Sequence, residues 1–123
     1  MARHTVHLVD DHAEVRTTLA RLLRSGGYTV REYESGYELL AAASSLTEGL
    51  IMLDINMPGG DGFAVQRALR DQSVKLPVIM MTGSGDLTLL ALKSGAADFM
   101  QKPFGRSELL AVLDQLFEAV VDG

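Results

Sequence analysis

With 123 residues, 47% of them hydrophobic and 22% charged, the chain has the size and balance of one folded domain and leaves no room for a second. The sequence has no Cys, which excludes disulfides, thiolate-bound zinc and thiol catalysis. A formal net charge of -5, with Lys and Arg dispersed, disfavours a nucleic-acid surface, because a duplex repels an acidic partner.

Residues 5–9 open the chain with an apolar strand, and no long hydrophobic run precedes it. The expectation is a cytoplasmic protein with neither a leader nor a membrane span. Val15, Leu19, Leu22 and Leu23 recur at helical spacing and predict one apolar stripe, which Gly26-Gly27 ends. Residues 29–33 mix polar and apolar side chains, as an edge strand does. Ser35 and Glu38 have capping-box spacing ahead of Leu39 and Leu40, predicting a second helix. Residues 50–53 are continuously apolar, the pattern of a parallel strand covered on both faces. A third stripe, Val65, Ala68 and Leu69, follows Asp61-Gly62. Residues 77–81 form a second buried strand, residues 87–93 a short fourth helix closed by Ser94-Gly95, and residues 98–101 the fifth strand. Leu109, Val112, Leu113, Leu116, Phe117 and Val120 make the fifth helix. Met52, Met80, Met81 and Met100 fall within strands, where the thioether serves as adaptable core filling.

Five β-α repeats imply an α/β fold: a doubly wound, five-stranded parallel sheet with five helices on its two faces. In such sheets the functional crevice lies beyond the carboxyl ends of the strands. Those ends deliver Asp10-Asp11, Asp54, Thr82 and Lys102-Pro103. Each taken singly reads as a helix cap or a solvated loop residue, the role expected of Asp61 and Asp86. Gathered in one crevice, three carboxylates repel by about 3 kcal/mol per pair at ~5 Å and an effective dielectric near 20, so a cation is required. Carboxylate and carbonyl oxygens suit Mg²⁺, and the compact ammonium of Lys102 suits an anionic group.

Asp10-Asp11, the run from Leu53-Asp54-Ile55-Asn56 through Met57-Pro58-Gly59-Gly60 to Asp61-Gly62, Thr82-Gly83 and Lys102-Pro103-Phe104 resemble the receiver domain of two-component response regulators. The resemblance spans residues 1–123 and implies a flavodoxin-like fold with strand order 2-1-3-4-5. It implies that Asp54 accepts a phosphoryl group from a sensor histidine kinase or phosphotransfer protein. Mg²⁺ is then held by Asp10, Asp11, Asp54 and the Asn56 carbonyl, and Lys102 and Thr82 hold the phosphoryl oxygens. Thr82 and Phe99 become the switch, repacking a face of helix four, strand five and helix five that can also serve a homodimer. Asn56 and Ser84, both small and polar, imply measurable autodephosphorylation in a protein that is a phosphoacceptor rather than an enzyme. Lys102-Pro103 resembles the family's cis peptide. The segment from Thr82 to Asp86 resembles a subfamily that often carries a C-terminal DNA-binding helix-turn-helix, and these residues include no such unit. The stretch between Asp86 and Gly95 is shorter than in similar receivers, which puts the family's dimer mode in question.

Competing readings fit less well. A Mg²⁺-dependent phosphohydrolase working through an aspartyl phosphate commonly needs a second Asp two residues after the nucleophile, where this chain has Asn56. A flavodoxin-like cofactor binder needs a phosphate-holding loop after the first strand, where Asp10-Asp11 repel phosphate. Phe99 is equally readable as core. His4 and His7 lie on opposite faces of a strand, and His12 begins the first helix beside the acidic pair, so the three read as bystanders rather than as one metal site. Gly59-Gly60 matches no phosphate-binding fingerprint and reads as a turn.

Overall fold

The computed structural model describes residues 4–55, 62–83 and 95–122, with side chains to residue 118. Five strands, β1 (Thr5–Val9), β2 (Thr29–Tyr33), β3 (Leu50–Asp54), β4 (Val78–Thr82) and β5 (Asp98–Gln101), form one sheet in the order β2-β1-β3-β4-β5. Every pairing is parallel. Among the described residues there are four α-helices, α1 (Ala13–Ser25), α2 (Gly36–Ala41), α3 (Gly62–Asp71) and α4 (Arg106–Asp122), plus a 3₁₀ turn at Ala43–Ser45. The count of four corrects the expectation of five only in part, since residues 87–93 lie outside the described residues, and α4 is the helix expected at the C-terminus.

The middle strands run one residue past the expected ends, to Asp54 and Thr82, and β4 starts at Val78 rather than at residue 77. Pro77 has no N–H to give the ladder, yet its carbonyl accepts from Ile51 N at 2.9 Å, so it abuts the strand without joining it. Alternation along the strands divides the core. Val6, Leu8, Met52, Ile79 and Met81 face α1 and α4, meeting Leu19, Leu23, Leu109 and Leu113. Val9, Ile51, Leu53 and Met80 face α2 and α3, meeting Leu39, Val65 and Leu69. The four strand methionines are all buried, as core filling requires.

Helix ends follow the local chemistry. The α1 terminus is a Schellman motif: Tyr28 N reaches Leu23 O, Gly27 N reaches Arg24 O, and Gly27 takes φ 92°, a conformation that favours glycine. At α2 the expected cap forms, with Ser35 Oγ accepting from Glu38 N at 3.1 Å, while Glu38 Oε2 accepts at 2.8 Å from Glu34 N, one residue ahead of the N-cap that a capping box uses. Val15 departs from its expected burial and is 37% exposed. It occupies the first turn of α1, beyond the sheet, and faces Pro103 and Phe104 across an open groove. At the start of α3, a Cβ on Gly62 would stand 2.7 Å from Ile55 Cα, so only glycine lets the helix begin this close to the end of β3.

Candidate functional site

The register brings the predicted polar residues together. Val9 lies opposite Leu53, so Asp10 follows beside Asp54. Thr82 lies opposite Gln101, so Lys102 is the next residue along that edge, and its N–H donates to Thr82 O at 2.7 Å. The peptide between Lys102 and Pro103 is cis, as the resemblance implied.

Three of these side chains are almost fully enclosed: Asp10, Asp54 and Thr82 are 0%, 2% and 0% exposed. Burying carboxylates is costly unless they are paired and hydrogen-bonded. Lys102 does this for two of them at once, with Nζ 2.8 Å from Asp10 Oδ2 and 3.1 Å from Asp54 Oδ2. Burial alone lowers the pKa of this ammonium, but the hydrogen bonds and charges of Asp10 and Asp54 outweigh burial and raise it above its ordinary value. Lys102 is therefore a fixed cation at neutral pH.

Asp11 is different. Its Oδ1 is buried and has no hydrogen-bond partner. One ligand atom each from Asp10, Asp11, His12 and Asp54 lie within 4.8 Å of one another. Among the described residues here, three carboxylates face one ammonium, an excess of two negative charges. Hard oxygen donors, an orphaned buried oxygen and a deficit of two charges together fit a divalent cation such as Mg²⁺. Asn56, the fourth expected ligand, lies outside the described residues, as do Ser84, Asp61 and Asp86. Phe99 is half-buried and packs against the cluster of Val9, Leu53 and Met80.

Two neighbours were not expected to take part. Arg16 Nη1 donates to Asp10 O at 2.7 Å, and its guanidinium also lies 3.6 Å from Glu32 Oε1 and 3.8 Å from Glu34 Oε1. It ties the acidic turn to the end of β2. The signal was present as alternating Glu32 and Glu34 at a strand end within reach of an Arg on the first turns of α1, but nothing in periodicity marks such a contact. His12 is the other. It caps α1 and its ring approaches both acidic residues, closer than a bystander would.

The model of the response regulator receiver domain matches residues 6–114 of this sequence. The chain belongs to the response regulator receiver family. This receiver is 35% identical over 123 residues to the transcriptional regulatory protein FixJ of Rhizobium meliloti, covering 98% of this chain and 60% of that protein. It is 38% identical over 117 residues to the DNA-binding transcriptional regulator NtrC of Salmonella typhimurium, covering 94% of this chain and 25% of that one. Among solved structures, the crystal structure of FixJ-N superposes with a TM-score of 0.85 at 34% identity, covering 93% of each chain. The chemotaxis protein CheY4 of Vibrio cholerae superposes with a TM-score of 0.82 at 33% identity, covering 94% of this chain and 98% of that one. The receiver thus spans 60% or less of those two curated relatives and nearly all of the two solved chains. Receivers are phosphorylation-dependent signalling switches of two-component systems rather than enzymes of the ordinary kind, and their partners are histidine kinases and phosphotransfer proteins. No helix among the described residues is long and apolar enough to cross a membrane.

Proposed function

We propose that Asp54 is the phosphoacceptor of this receiver and that residues 1–123 act as one switching domain in the cytoplasm, binding neither DNA nor membrane directly. The observation that carries the reading is the single ammonium of Lys102 shared between two enclosed carboxylates, with a third carboxylate, Asp11, left unsatisfied beside them. An Asp54 oxygen attacks the phosphorus of a phosphohistidine. The P–O bond forms as the P–N bond breaks, and the imidazole leaves with the bonding pair and takes a proton from solvent. Positioning and charge neutralisation supply most of the catalysis in such a transfer. Lys102 keeps Asp54 in place beforehand and follows the new phosphoryl oxygens afterwards. Asp10, Asp11, Asp54 and the Asn56 carbonyl are the groups to hold Mg²⁺, which supplies neutralisation of the incoming anion when bound.

The Thr82 hydroxyl is enclosed at the end of β4 and is the donor next in reach of a phosphoryl group on Asp54. Its movement frees space for Phe99, which stands half-buried one strand away, and biases a two-state equilibrium. The altered surface comprises β5 and α4 and is the face for a homodimer or an output partner; residues 87–93, the expected fourth helix, lie outside the described residues. Asn56 and Ser84 leave the acyl phosphate open to water, so autodephosphorylation is measurable.

Incubation with a small phosphodonor and Mg²⁺, followed by intact mass measurement, tests the acceptor. Wild type gains one phosphoryl group and Asp54→Asn gains none. A phosphorylated Asp54→Asn, or a wild type that stays unmodified while binding Mg²⁺, refutes the assignment. Turnover of nitrophenyl phosphate that Asp54→Ala abolishes favours the phosphohydrolase instead.

A further inference from the structure

The ion site proposed above is built from oxygen donors, yet one nitrogen belongs to the same cluster. His12 is the N-cap of α1, with φ -90° and ψ 106°, and its backbone N–H donates to Asp10 Oδ1 at 2.9 Å. That bond pins the residue over the acidic pair. Its Nδ1 then stands 3.4 Å from Asp10 Oδ1 and 3.1 Å from Asp11 Oδ1.

Asp11 Oδ1 has no hydrogen-bond partner, so the 3.1 Å approach of the imidazole is not a directed hydrogen bond. The spacing has another meaning. Donors on adjacent corners of an octahedron with bonds of ~2.1 Å stand about 3.0 Å apart, the edge length of a site around a small divalent ion. The His12 to Asp11 separation matches that edge and the His12 to Asp10 separation is slightly longer.

We propose that His12 contributes Nδ1 to this site, so that the receiver takes a borderline first-row transition-metal ion such as Zn²⁺ more tightly than its oxygen donors alone allow. The inference rests on the ion site proposed for Asp10 and Asp11. Imidazole adds affinity for zinc and its neighbours in the transition series, whereas magnesium favours carboxylate, carbonyl and water oxygens and is indifferent to a nitrogen donor. The side chain of His12 is 64% exposed, so it swings in without repacking the core. Such a site makes the receiver's ion a matter of which divalent metal is at hand, with a zinc-loaded form competing with the magnesium form.

Calorimetric titration of wild type, His12→Gln and His12→Asn with Zn²⁺ and with Mg²⁺ separates the cases, the Asn variant keeping a good N-cap. Zinc affinity is expected to fall about 10-fold or more in both variants, the scale of losses at metal sites, while magnesium affinity stays within about twofold. Manganese-loaded wild type should show ¹⁴N modulation in electron spin-echo spectra that both variants lose. Unchanged zinc affinity together with absence of ¹⁴N modulation in wild type, while magnesium still binds, overturns the role of His12 and leaves the ion site standing. Failure of wild type to bind Mg²⁺ or Mn²⁺ any better than Asp11→Asn overturns the ion site, and the inference with it.

Discussion

One sheet buries polar groups in two places, and it treats them in opposite ways. Midway along β1, His7 is 3% exposed and sits between Tyr33 Oη and Glu48 O, each 3.2 Å from a ring nitrogen. A carbonyl only accepts, so Nε2 carries the proton and donates to Glu48 O, which leaves Nδ1 to accept from the Tyr33 hydroxyl. Every ring atom that can bond does so, and no charge is needed. Three residues further on, just past the end of β1, Asp10 joins a cluster in which negative charge exceeds positive and Asp11 Oδ1 has no hydrogen bond. The first arrangement is complete in itself. The second, among the described residues, keeps an excess of negative charge and an oxygen without a hydrogen bond, the two features on which the proposed function rests.

Substitutions can break the contrast. The largest effect is expected from Lys102→Met, which leaves two enclosed carboxylates without their shared cation. A loss of about 2 to 3 kcal/mol in urea unfolding is expected, the low end for a broken buried pair because the lysine side chain is 22% exposed. The same variant should fail to gain a phosphoryl group. His7→Phe comes next. It strands a hydroxyl and a carbonyl, costs about 1 to 2 kcal/mol, and leaves phosphorylation intact by mass. The third substitution should act with the other sign. Asp54→Asn relieves repulsion among the acidic groups and is expected to stabilise the metal-free protein by about 1 kcal/mol, the mark of a site that trades stability for function. A destabilised Asp54→Asn would place Asp54 with the self-sufficient groups.

The smallest effect is in pH. Burial is the main cause of a lowered pKa at His7, below its ordinary 6.5, partly opposed by the hydrogen bond to Glu48 O. The unfolded chain therefore takes up a proton more readily than the folded one. Stability tied to His7 is intact above pH 6.5 and is lost as the pH falls below it. Unfolding free energies of wild type and His7→Gln, measured from about pH 7.5 to about pH 5.5, should converge on the acid side. A gap that widens there would mean that His7 is held protonated.

Strands and strand-end chemistry were legible in the sequence because burial on both faces leaves continuous apolar runs and because the first polar residue after each run marks the edge. Asp10, Asp54 and Thr82 were readable in that way, whereas Lys102 follows the polar Gln101 of a mixed strand and took its role from the Lys102-Pro103 pair of the family resemblance. The helix stripes were legible as well, though Val15 shows the limit: periodicity tells which face a residue occupies but not how far the neighbouring sheet extends. Arg16 and His12 escaped for a related reason. Arg16 bonds a backbone carbonyl and approaches side chains of β2 and its end, while the ring of His12 folds back onto its own neighbours Asp10 and Asp11; both depend on the path of the turn after β1, which no spacing rule encodes. The packing of His7 against Tyr33 likewise depends on which strand lies beside β1, information held by the topology and not by either segment.

The proposed acceptor draws on residues 10, 11, 54 and 102, and among the described residues the ammonium that pairs with Asp10 and Asp54 comes last in the chain. During synthesis Asp54 is made before the lysine that pairs with it. A copy cut short before residue 102 lacks that partner, and on the proposed reading it should gain no phosphoryl group, as intact mass measurement can check.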